Sequence, residues 1–457
     1  MNGSTAIDLL RFAAELVVIV GALYLGVRQG GVALGLWGVL GGFAVILVLK
    51  GQAGSFPYDT IMITLAATVA VAALEAAGGD QYLINVCQTL LSGAPKLIVF
   101  VSPLVIWLVV FFSGTWTVAI ALIPAISATA WAAGIRPSRA LGAASVAVGL
   151  AHAASPVSGA MAVALGEIKQ PNIGMGQILA VTIPATLVGV VVASIVATLQ
   201  GVSIAAVPLD KQDRPMGASE NSGTESDDEV GRKRAHRRGR RAVVIMLLGL
   251  VAIVIFGLFP DWRPTQFVDT PTGPVETVTS MTTLLPAALV SIAMIIIIGC
   301  RVAPTSVTKT LAFSSGFGAI VVLAGVTFAV STLVASNTTY IVGPLKSITG
   351  VAPYLFGIIA AGISIVMSST SAAAATYFPI GIAAALSPGT MVSSLTAVGA
   401  TSVLPVSGFQ TSCTELDSSG TTDTTQRKTK NFALLPALFG TATALAVATY
   451  FAARFIS

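Results

Sequence analysis

Long apolar stretches alternate with short polar segments along almost the whole chain. Many of the stretches contain about 18 residues or more, the length at which an apolar α-helix can cross a bilayer. Their apolar runs are continuous, whereas the strands of a membrane β-barrel would alternate over about ten residues. The pattern predicts an all-α polytopic membrane protein, with plain spans at residues 12–27, 32–49, 60–78, 242–259, 282–299 and 310–334.

The order of apolar and polar segments is the same in the two halves of the chain. In each half, three plain spans precede a short polar segment, a run that small hydroxyl residues interrupt, a run with a proline break, and a final span. We therefore predict two repeats, residues 1–207 and 242–457, joined by a linker at 208–241. The interrupted runs are predicted as hairpins at 97–133 and 353–388, the proline-containing runs as broken helices at 138–170 and 390–416, and the final spans at 174–200 and 431–455.

Composition supports the membrane interpretation. Of the 457 residues, 55% are hydrophobic and 9% are charged, whereas about 25% of residues are charged in ordinary soluble domains. The three cysteines, Cys87, Cys300 and Cys413, have no paired spacing and indicate neither a disulfide framework nor a metal site. The stretch around Asp8 and Arg11 lacks a basic region and a clear cleavage site, so we predict no removable signal peptide.

The linker at 208–241 is the one long polar segment of the sequence. Its first part is acidic, which is typical of a disordered linker, and its second part is strongly basic. A basic run can bind nucleic acid, but in a membrane protein it is more often a cytoplasmic loop that follows the positive-inside rule. We therefore predict a cytoplasmic linker and no nucleic-acid partner.

The other lysines and arginines fit this orientation. A cytoplasmic linker places Lys50, Lys169, Arg263 and Lys346 outside, and it places on the cytoplasmic side Arg28, Lys96, Arg136, Arg139, Arg301, Lys309, Arg427, Lys428 and Lys430. Hairpin 97–133 must then enter from the cytoplasm and return, and hairpin 353–388 must do so from outside. Each half has five crossings and one re-entrant hairpin, which predicts inverted repeats with about ten transmembrane helices and two periplasmic termini.

The four interruptions contain the residues that we predict to bind a substrate. An interrupted helix leaves free N–H and C=O groups that must face protein, water or ligand. The N-termini of half-helices suit carboxylates, and unwound carbonyls suit a small cation. Small residues can also simply pack helices together, but the symmetric placement of four interruptions disfavours that interpretation. The predicted substrate-binding residues are Ser113, Gly114, Thr115, Ser368, Ser369 and Thr370 at the hairpin tips, and Ser155, Pro156, Ser158, Pro405, Ser407 and Gly408 at the proline breaks.

His152 lies three residues before Ser155 within an apolar run, where an ionisable residue is a candidate functional residue. It could contact substrate, carry a proton, or only hydrogen-bond a free carbonyl, and the sequence leaves these alternatives open. No lysine or arginine lies at the predicted centre, so anion binding would rest on helix dipoles and hydroxyls. The candidate coupling ion is a proton or a Na⁺ near Gly114, Ser155, Ser369 and Pro405, and no other cofactor is predicted.

Five stretches of the chain, taken in order, have counterparts in a known family: Gly26–Gly35, Phe56–Asp59, Phe112–Thr115, Ala154–Ser158 and Leu416–Thr422. They resemble the anaerobic C4-dicarboxylate transporter (Dcu) family, within the ion-transporter superfamily of elevator-type carriers. The tips and breaks also resemble the Ser-Asn-Thr and Thr-Pro signatures of sodium-coupled dicarboxylate carriers in that superfamily. The chain departs from the family at Trp116, where a small polar residue is usual, and around Pro405, where Val-Ser-Gly-Phe-Gln replaces an aromatic- and asparagine-rich stretch.

The resemblance implies a secondary active transporter of fumarate, succinate, malate or aspartate across the bacterial inner membrane. It also implies a homodimer with a static scaffold and a moving substrate domain, working by antiport or cation-coupled symport. A carrier of another small organic anion is the nearest alternative, and an anion channel is less favoured because the sequence lacks rings of charge. No enzyme is predicted, since the sequence has no His-Glu-x-x-His motif, cysteine cluster or phosphate-binding loop.

Overall fold

The computed structural model describes residues 3–168, 173–200, 227–270, 273–367, 369–405, 407–417, 419, 421–422 and 432–456. Residues 208–226 of the predicted linker, the predicted tip residue Ser368 and the basic cluster at 427–430 lie outside the described residues. In the first half the helices are α1 (Gly3–Gln29), α2 (Ala33–Leu47), α3 (Tyr58–Ala76), α4 (Gly79–Gly93), α5 (Ile98–Ser113), α6 (Thr117–Ile120), α7 (Ile123–Ala132), α8 (Pro137–Ala154), α9 (Gly159–Glu167) and α10 (Met175–Leu199).

The second half contains ten further helices and one small sheet among its described residues. The helices are α11 (Asp227–Leu258), α12 (Met281–Gly299), α13 (Pro304–Val307), α14 (Leu311–Ser336), α15 (Thr338–Val351), α16 (Tyr354–Met367), α17 (Thr370–Ala383), α18 (Pro388–Ser394), α19 (Gly408–Leu416) and α20 (Leu434–Phe455). Short 3₁₀ helices occur at Pro95–Leu97, Pro260–Trp262 and Leu395–Ser402. Strands β1 (Thr265–Thr270) and β2 (Gly273–Val278) form an antiparallel pair between α11 and α12, which the sequence analysis did not predict.

Nine helices of the described chain are long and apolar enough to cross a membrane. They are Ile7–Gln29, Tyr58–Ala76, Pro95–Ser113, Pro137–Glu167, Met175–Leu199, Arg234–Leu258, Met281–Gly299, Leu311–Ser336 and Leu434–Phe455. The prediction of an all-α polytopic membrane protein is confirmed. The ten crossings, the re-entrant course of the hairpins and the inversion of the repeats stay predictions; α5, a predicted hairpin arm, belongs to the helices that are long enough to cross.

The described helices follow one another in a corresponding order in the two halves. Three long or moderately long helices, α1 to α3, precede the short α4, as α11, α12 and α14 precede α15. Helices α5 and α7 flank the first tip, and α16 and α17 flank the second. The first proline break separates α8 from α9, and the second separates the 3₁₀ helix Leu395–Ser402 from α19. Helices α10 and α20 end the two halves.

Glycines allow close helix crossings between the two halves. At the crossing of α2 and α14, a Cβ added to Gly35 would overlap the Val321 carbonyl, and one added to Gly325 would overlap the Gly35 carbonyl. At the crossing of α10 and α20, a Cβ added to Gly189 would lie 2.7 Å from the carbonyl oxygen of Gly440. Small residues at helix interfaces let backbones approach in this way, and van der Waals packing then holds the helices together in lipid.

Candidate functional site

A cavity of about 860 Å³ lies where the two hairpin tips and the two proline breaks meet. Its wall also includes the turn between α1 and α2, one face of α3 and the N-terminal part of α14. Both halves of the chain therefore contribute to the wall.

Most of the residues that were singled out from sequence lie around this cavity. The wall contains Ser113, Gly114, Thr115, Ser369, Thr370, Ser407, Gly408 and His152. Four others, Ser155, Pro156, Ser158 and Pro405, belong to the same breaks but do not line the cavity, and Ser368 lies outside the described residues. That any of these residues binds substrate stays a prediction.

The first tip is held by its own hydroxyl groups. Helix α5 ends at Ser113, and Gly114 follows with φ of 63°, a left-handed conformation that glycine adopts at low cost. The Ser113 hydroxyl donates to the carbonyl oxygen of Thr115 at 2.9 Å. The Thr115 and Thr117 hydroxyls lie 3.0 Å apart and share a hydrogen bond. The tip therefore has a defined conformation before any ligand binds.

The second tip presents a helix N-terminus to the cavity. Ser369 is the N-cap of α17, and its hydroxyl accepts from the backbone N–H of Ala372 at 3.4 Å. Thr370, the first residue of α17, lines the cavity, and its hydroxyl has no hydrogen-bond partner among the described residues. The Thr370 hydroxyl is therefore available to a ligand, unlike that of Thr115.

The first proline break is closed by internal hydrogen bonds. The Ser155 hydroxyl donates to the carbonyl oxygen of Phe111 at 2.7 Å, which ties the break to α5. The Ser158 hydroxyl donates to the carbonyl oxygen of His152 at 2.6 Å and accepts from the N–H of Met161 at 3.1 Å. Ser158 thus satisfies both the end of α8 and the start of α9, and neither serine hydroxyl remains for a ligand.

The second proline break is more open. Ser407 is the N-cap of α19, but its hydroxyl caps no N–H and instead donates to Oε1 of Gln410 at 2.9 Å. The amide of Gln410 donates to the carbonyl oxygen of Ser402 at 2.8 Å, and the Ser402 hydroxyl donates to the carbonyl oxygen of Ser145 on α8 at 2.7 Å. This chain of bonds fixes the break to α8 and leaves the first N–H groups of α19 without a side-chain cap.

Glycines let the tips and the breaks interlock. A Cβ added to Gly114 would lie 2.6 Å from the carbonyl oxygen of Val157, so the first tip sits against the first break. A Cβ added to Gly408 would lie 2.5 Å from Cζ2 of Trp116, so the same tip also touches the second break. Trp116, a departure from the resembling family, covers the start of α19.

The electrostatics of the cavity come from helix ends rather than from basic side chains. Among the described residues that line it, none is Lys, Arg, Asp or Glu. Helices α9, α17 and α19 begin in the wall, and the first N–H groups of a helix lack intrahelical partners and have partial positive charge. A cavity built in this way can accept the oxygens of a carboxylate.

The N-terminus of α14 differs because an acidic side chain already occupies it. The carboxylate of Glu75, near the end of α3, accepts from the N–H groups of Leu311 at 3.0 Å and Ala312 at 2.7 Å. A carboxylate at a helix N-terminus is stabilised by the helix dipole and by these N–H groups. The contact joins α3 to α14 and leaves that helix end closed to a substrate.

Sequence reasoning missed the wall that α3 and α14 contribute. Thr64, Thr68 and Ser315 line the cavity, although each lies within a plain apolar span. The Thr64 hydroxyl donates to the carbonyl oxygen of Thr60 at 2.7 Å, as threonines commonly do in membrane helices. No helix breaker marks these positions, so the sequence offers no signal that separates them from packing residues.

The stretch that follows α19 forms a polar knot outside the cavity. The buried carboxylate of Asp417 accepts hydrogen bonds from the hydroxyls of Ser127, Ser419, Thr421 and Thr422. Ser127 belongs to α7, so the knot fastens the end of α19 to the first hairpin. The stretch Leu416–Thr422, which resembles a known family, therefore has a structural role in holding these two elements together.

No group of three or more His, Cys, Asp or Glu side chains that could hold a metal ion occurs in the described part of the chain. The candidate Na⁺ near Gly114, Ser155, Ser369 and Pro405 would instead use carbonyl and hydroxyl oxygens, and it stays a prediction. Cys87, Cys300 and Cys413 are buried and free.

Comparison with known proteins gives a consistent result. A family model described as anaerobic C4-dicarboxylate membrane transporter matches residues 11–456. The C4-dicarboxylate transporter DcuA of Wolinella succinogenes is 29% identical over 409 residues, which are 89% of this chain and 91% of that protein. DcuA of Escherichia coli K12 is 28% identical over 411 residues, with the same coverage. The anaerobic C4-dicarboxylate transporter DcuB of Escherichia coli O6:H1 is 29% identical over 454 residues, covering 97% of this chain and 99% of the relative.

Two solved structures share the fold at low sequence identity. MtrF of Neisseria gonorrhoeae, described with a class of antimetabolite efflux pumps, has a TM-score of 0.51 and 15% identity over 89% of this chain and 84% of its own. The YdaH transporter of Alcanivorax borkumensis has a TM-score of 0.51 and 14% identity over 98% of both chains. At these identities the likeness is one of fold alone.

Proposed function

The chain belongs to the family of anaerobic C4-dicarboxylate membrane transporters, and from this membership we propose that it is a secondary active carrier of C4-dicarboxylates. The proposed substrates are fumarate, succinate, malate and aspartate, carried across a bacterial inner membrane. Family membership and the membrane-spanning helices mean that the chain is a multi-pass membrane transporter and not an enzyme, as the sequence predicted.

One observation supports the proposal most strongly: residues of both tips and of both breaks surround a single cavity. A C4-dicarboxylate has an anionic group at each end, so each half of the chain could bind one of them. The cavity volume of about 860 Å³ leaves ample room for four carbons and their carboxylates.

The proposed binding chemistry uses helix N-termini and hydroxyls. The free N–H groups at the starts of α17 and α19 would donate to carboxylate oxygens. The hydroxyls of Ser369 and Thr370 would add further donors, each worth about 1.5–3 kcal/mol when the acceptor is charged. Those of Ser113 and Thr115 could bind a substrate only by exchanging the hydrogen bonds that they make within the tip. No lysine or arginine in the described wall would add to these donors.

The proposed mechanism is alternating access of the elevator type. A body that contains the tips and breaks would move as a unit against the remaining helices, and interlocked contacts such as Gly114 against Val157 suit a rigid moving body. A homodimer would hold the static helices in place. The driving force is exchange for a second dicarboxylate, or coupling to a Na⁺ at the unwound backbone or to a proton.

The proposed orientation has both termini in the periplasm and residues 208–241 in the cytoplasm, following the distribution of lysine and arginine. A cysteine engineered into the linker should resist an impermeant reagent in intact cells. Efficient labelling there in intact cells, with none in sealed inverted vesicles, would reverse the orientation.

Transport into proteoliposomes tests the main proposal. The purified protein is reconstituted, and uptake of radiolabelled succinate is compared between vesicles preloaded with fumarate and empty vesicles. We expect saturable uptake that preloading stimulates and that excess unlabelled malate inhibits, while butyrate, a monocarboxylate, inhibits little. Uptake that rises linearly with concentration would indicate a channel, and the absence of any C4-dicarboxylate uptake by folded protein would refute the proposal.

A further inference from the structure

His152 is the one ionisable side chain among the described residues that line the cavity. It lies in the last turn of α8 and is 5% exposed. The carbonyl oxygen of the same residue accepts the Ser158 hydroxyl, which fixes the end of α8 at the break. The imidazole is buried in the wall, and its own hydrogen bond to the backbone sets its orientation.

The hydrogen bond of this imidazole determines what its other nitrogen can do. Nδ1 lies 2.7 Å from the carbonyl oxygen of Val148, and a carbonyl can only accept, so Nδ1 bears the hydrogen. Nε2 has no partner among the described residues. Before a substrate binds, burial and the lack of an acidic side chain in the described wall favour the neutral ring, and in a neutral ring Nε2 is an acceptor.

This acceptor differs from the other polar groups around the cavity. Backbone N–H groups at the helix ends only donate, and hydroxyl groups both donate and accept. Nε2 of a neutral His152 accepts and cannot donate. A carboxylate, which also only accepts, gains nothing from Nε2, whereas an N–H or O–H group on the substrate gains a hydrogen bond.

We propose that Nε2 of His152 accepts a hydrogen bond from a donor on C2 of the substrate, which makes His152 a specificity-determining residue for 2-amino and 2-hydroxy C4-dicarboxylates. This inference rests on the proposed function. A 2-amino acid such as aspartate gains further, because its ammonium reduces the net charge that enters a cavity without basic side chains in its described wall. Succinate and fumarate have no such donor.

The second half has only a hydroxyl oxygen, a weaker acceptor than an imidazole nitrogen, at the corresponding position of the cavity wall, so the selection has a direction. Counted back from the proline of each Pro-Val-Ser-Gly sequence, Thr401 occupies the position that corresponds to His152. The Thr401 hydroxyl donates to the carbonyl oxygen of Val398 at 2.9 Å. The C2 donor of a bound substrate should therefore lie toward α8 and not toward the 3₁₀ helix Leu395–Ser402.

Binding of three ligands to four proteins tests the inference. Succinate, malate and aspartate are titrated into purified wild type, His152→Phe, His152→Gln and, as a matched control in the other half, Thr401→Val. In His152→Phe we expect aspartate to bind about ten- to hundredfold more weakly and malate about two- to tenfold more weakly, with succinate within about twofold of wild type. His152→Gln keeps an acceptor oxygen and should recover part of the aspartate affinity, and Thr401→Val should change the aspartate-to-succinate ratio by less than about twofold.

Each outcome bears on a separate claim. If wild type binds none of the three ligands, the proposed function fails and not the role of His152 alone. If wild type binds them and His152→Phe weakens succinate as much as aspartate, His152 donates to a carboxylate or supports the fold, and the inference is wrong. Should His152→Phe not fold, His152→Leu takes its place with the same expected ratios, and an unchanged ratio in a folded variant also overturns the inference.

Discussion

The two Pro-Val-Ser-Gly sequences, at residues 156–159 and 405–408, break two helices and then differ in almost every contact. At the first, the flanking Ser155 binds the carbonyl of Phe111, and Ser158 caps α9. At the second, Leu404 takes the place of Ser155 and lines the cavity, and Ser407 leaves the start of α19 uncapped. The first break holds helices together through its contacts with α5 and the first tip, which we call the fastening. The second break is an open part of the cavity wall.

The comparison shows what a helix-breaking sequence determines and what it leaves to its neighbours. Proline and glycine end and restart the helix in both places. The residues just before the proline, and the segment packed opposite, decide whether the freed polar groups bind protein or face a ligand. Substitutions at the two breaks should therefore differ in their effects on stability and on binding.

Replacing Gly114 by alanine should destabilise the fastening at the first break most. Alanine at φ of 63° is strained, and its Cβ would press on the carbonyl of Val157, a backbone atom that cannot turn away. We expect a loss of about 3 kcal/mol in the free energy of unfolding. The control is Gly134→Ala, at φ of 73° with open space around it, which should cost only about 1 kcal/mol. Equal midpoints of thermal unfolding for the two variants would contradict the fastening.

Thr370→Ala should weaken binding more than Thr115→Ala. The Thr370 hydroxyl has no partner among the described residues, whereas the Thr115 hydroxyl already bonds to that of Thr117. Loss of a hydrogen bond to a carboxylate costs about 1.5–3 kcal/mol, so succinate affinity should fall about ten- to hundredfold in Thr370→Ala. Thr376→Ala makes the same change on the same helix outside the cavity wall and should leave affinity within about twofold. Calorimetric titration measures all three, and wild-type affinity in both tip variants would identify the tips as packing elements.

Gly408→Ala should affect the second break through Trp116. The added Cβ would lie 2.5 Å from Cζ2 of the indole, so the ring and the first tip must shift. We expect a cost of about 1–2 kcal/mol in substrate binding. In a Trp116→Ala background the same substitution should cost much less, giving a coupling free energy of about 1 kcal/mol. Additive effects in this double-mutant cycle would show that the contact between Gly408 and Trp116 does not influence substrate binding.

The smallest effects should come from substitution of the serines themselves, and the two serines should differ in their effect on succinate binding. Ser155→Ala removes the bond to Phe111 and should lower the free energy of unfolding by about 1 kcal/mol, with succinate affinity within about twofold. Ser407→Ala, in the cavity wall, removes the bond to Oε1 of the buried Gln410 and should lower the free energy of unfolding by a similar amount. It should also weaken succinate binding about two- to fivefold, because the start of α19 in the wall is then held less firmly. Thermal unfolding and calorimetric titration of both variants test this expectation. Equal succinate affinities in the two variants would mean that the two breaks are equivalent.

Much of the architecture could be predicted from the sequence because the bilayer imposes strong rules. Span length, positive loops and helix breakers are local properties, and they located the helices around Ser113 and around both proline breaks. The partner that a hydroxyl group faces, in contrast, depends on residues that are distant in the sequence. Ser155 and Thr370 looked alike in sequence, yet one bonds to a distant carbonyl and the other lines the cavity.

The rest of the wall could not be predicted for the same reason. Thr68 and Ser315 face the cavity only because α3 and α14 pack beside the tips, and tertiary packing of this kind leaves no mark in the sequence. The β1–β2 pair escaped prediction because its twelve residues lie in a short polar stretch between two dominant apolar spans.

The glycine crossing of α2 and α14 also has a consequence for biosynthesis. A ribosome completes α2 long before α14, so the face formed by Gly35, Gly38 and Gly42 meets lipid or another protein until the second half is inserted. The first half is therefore not an independent folding unit. In a pulse-chase experiment we expect a chain that stops after α10 to be degraded faster than the full chain, and coexpression of the second half should restore its lifetime.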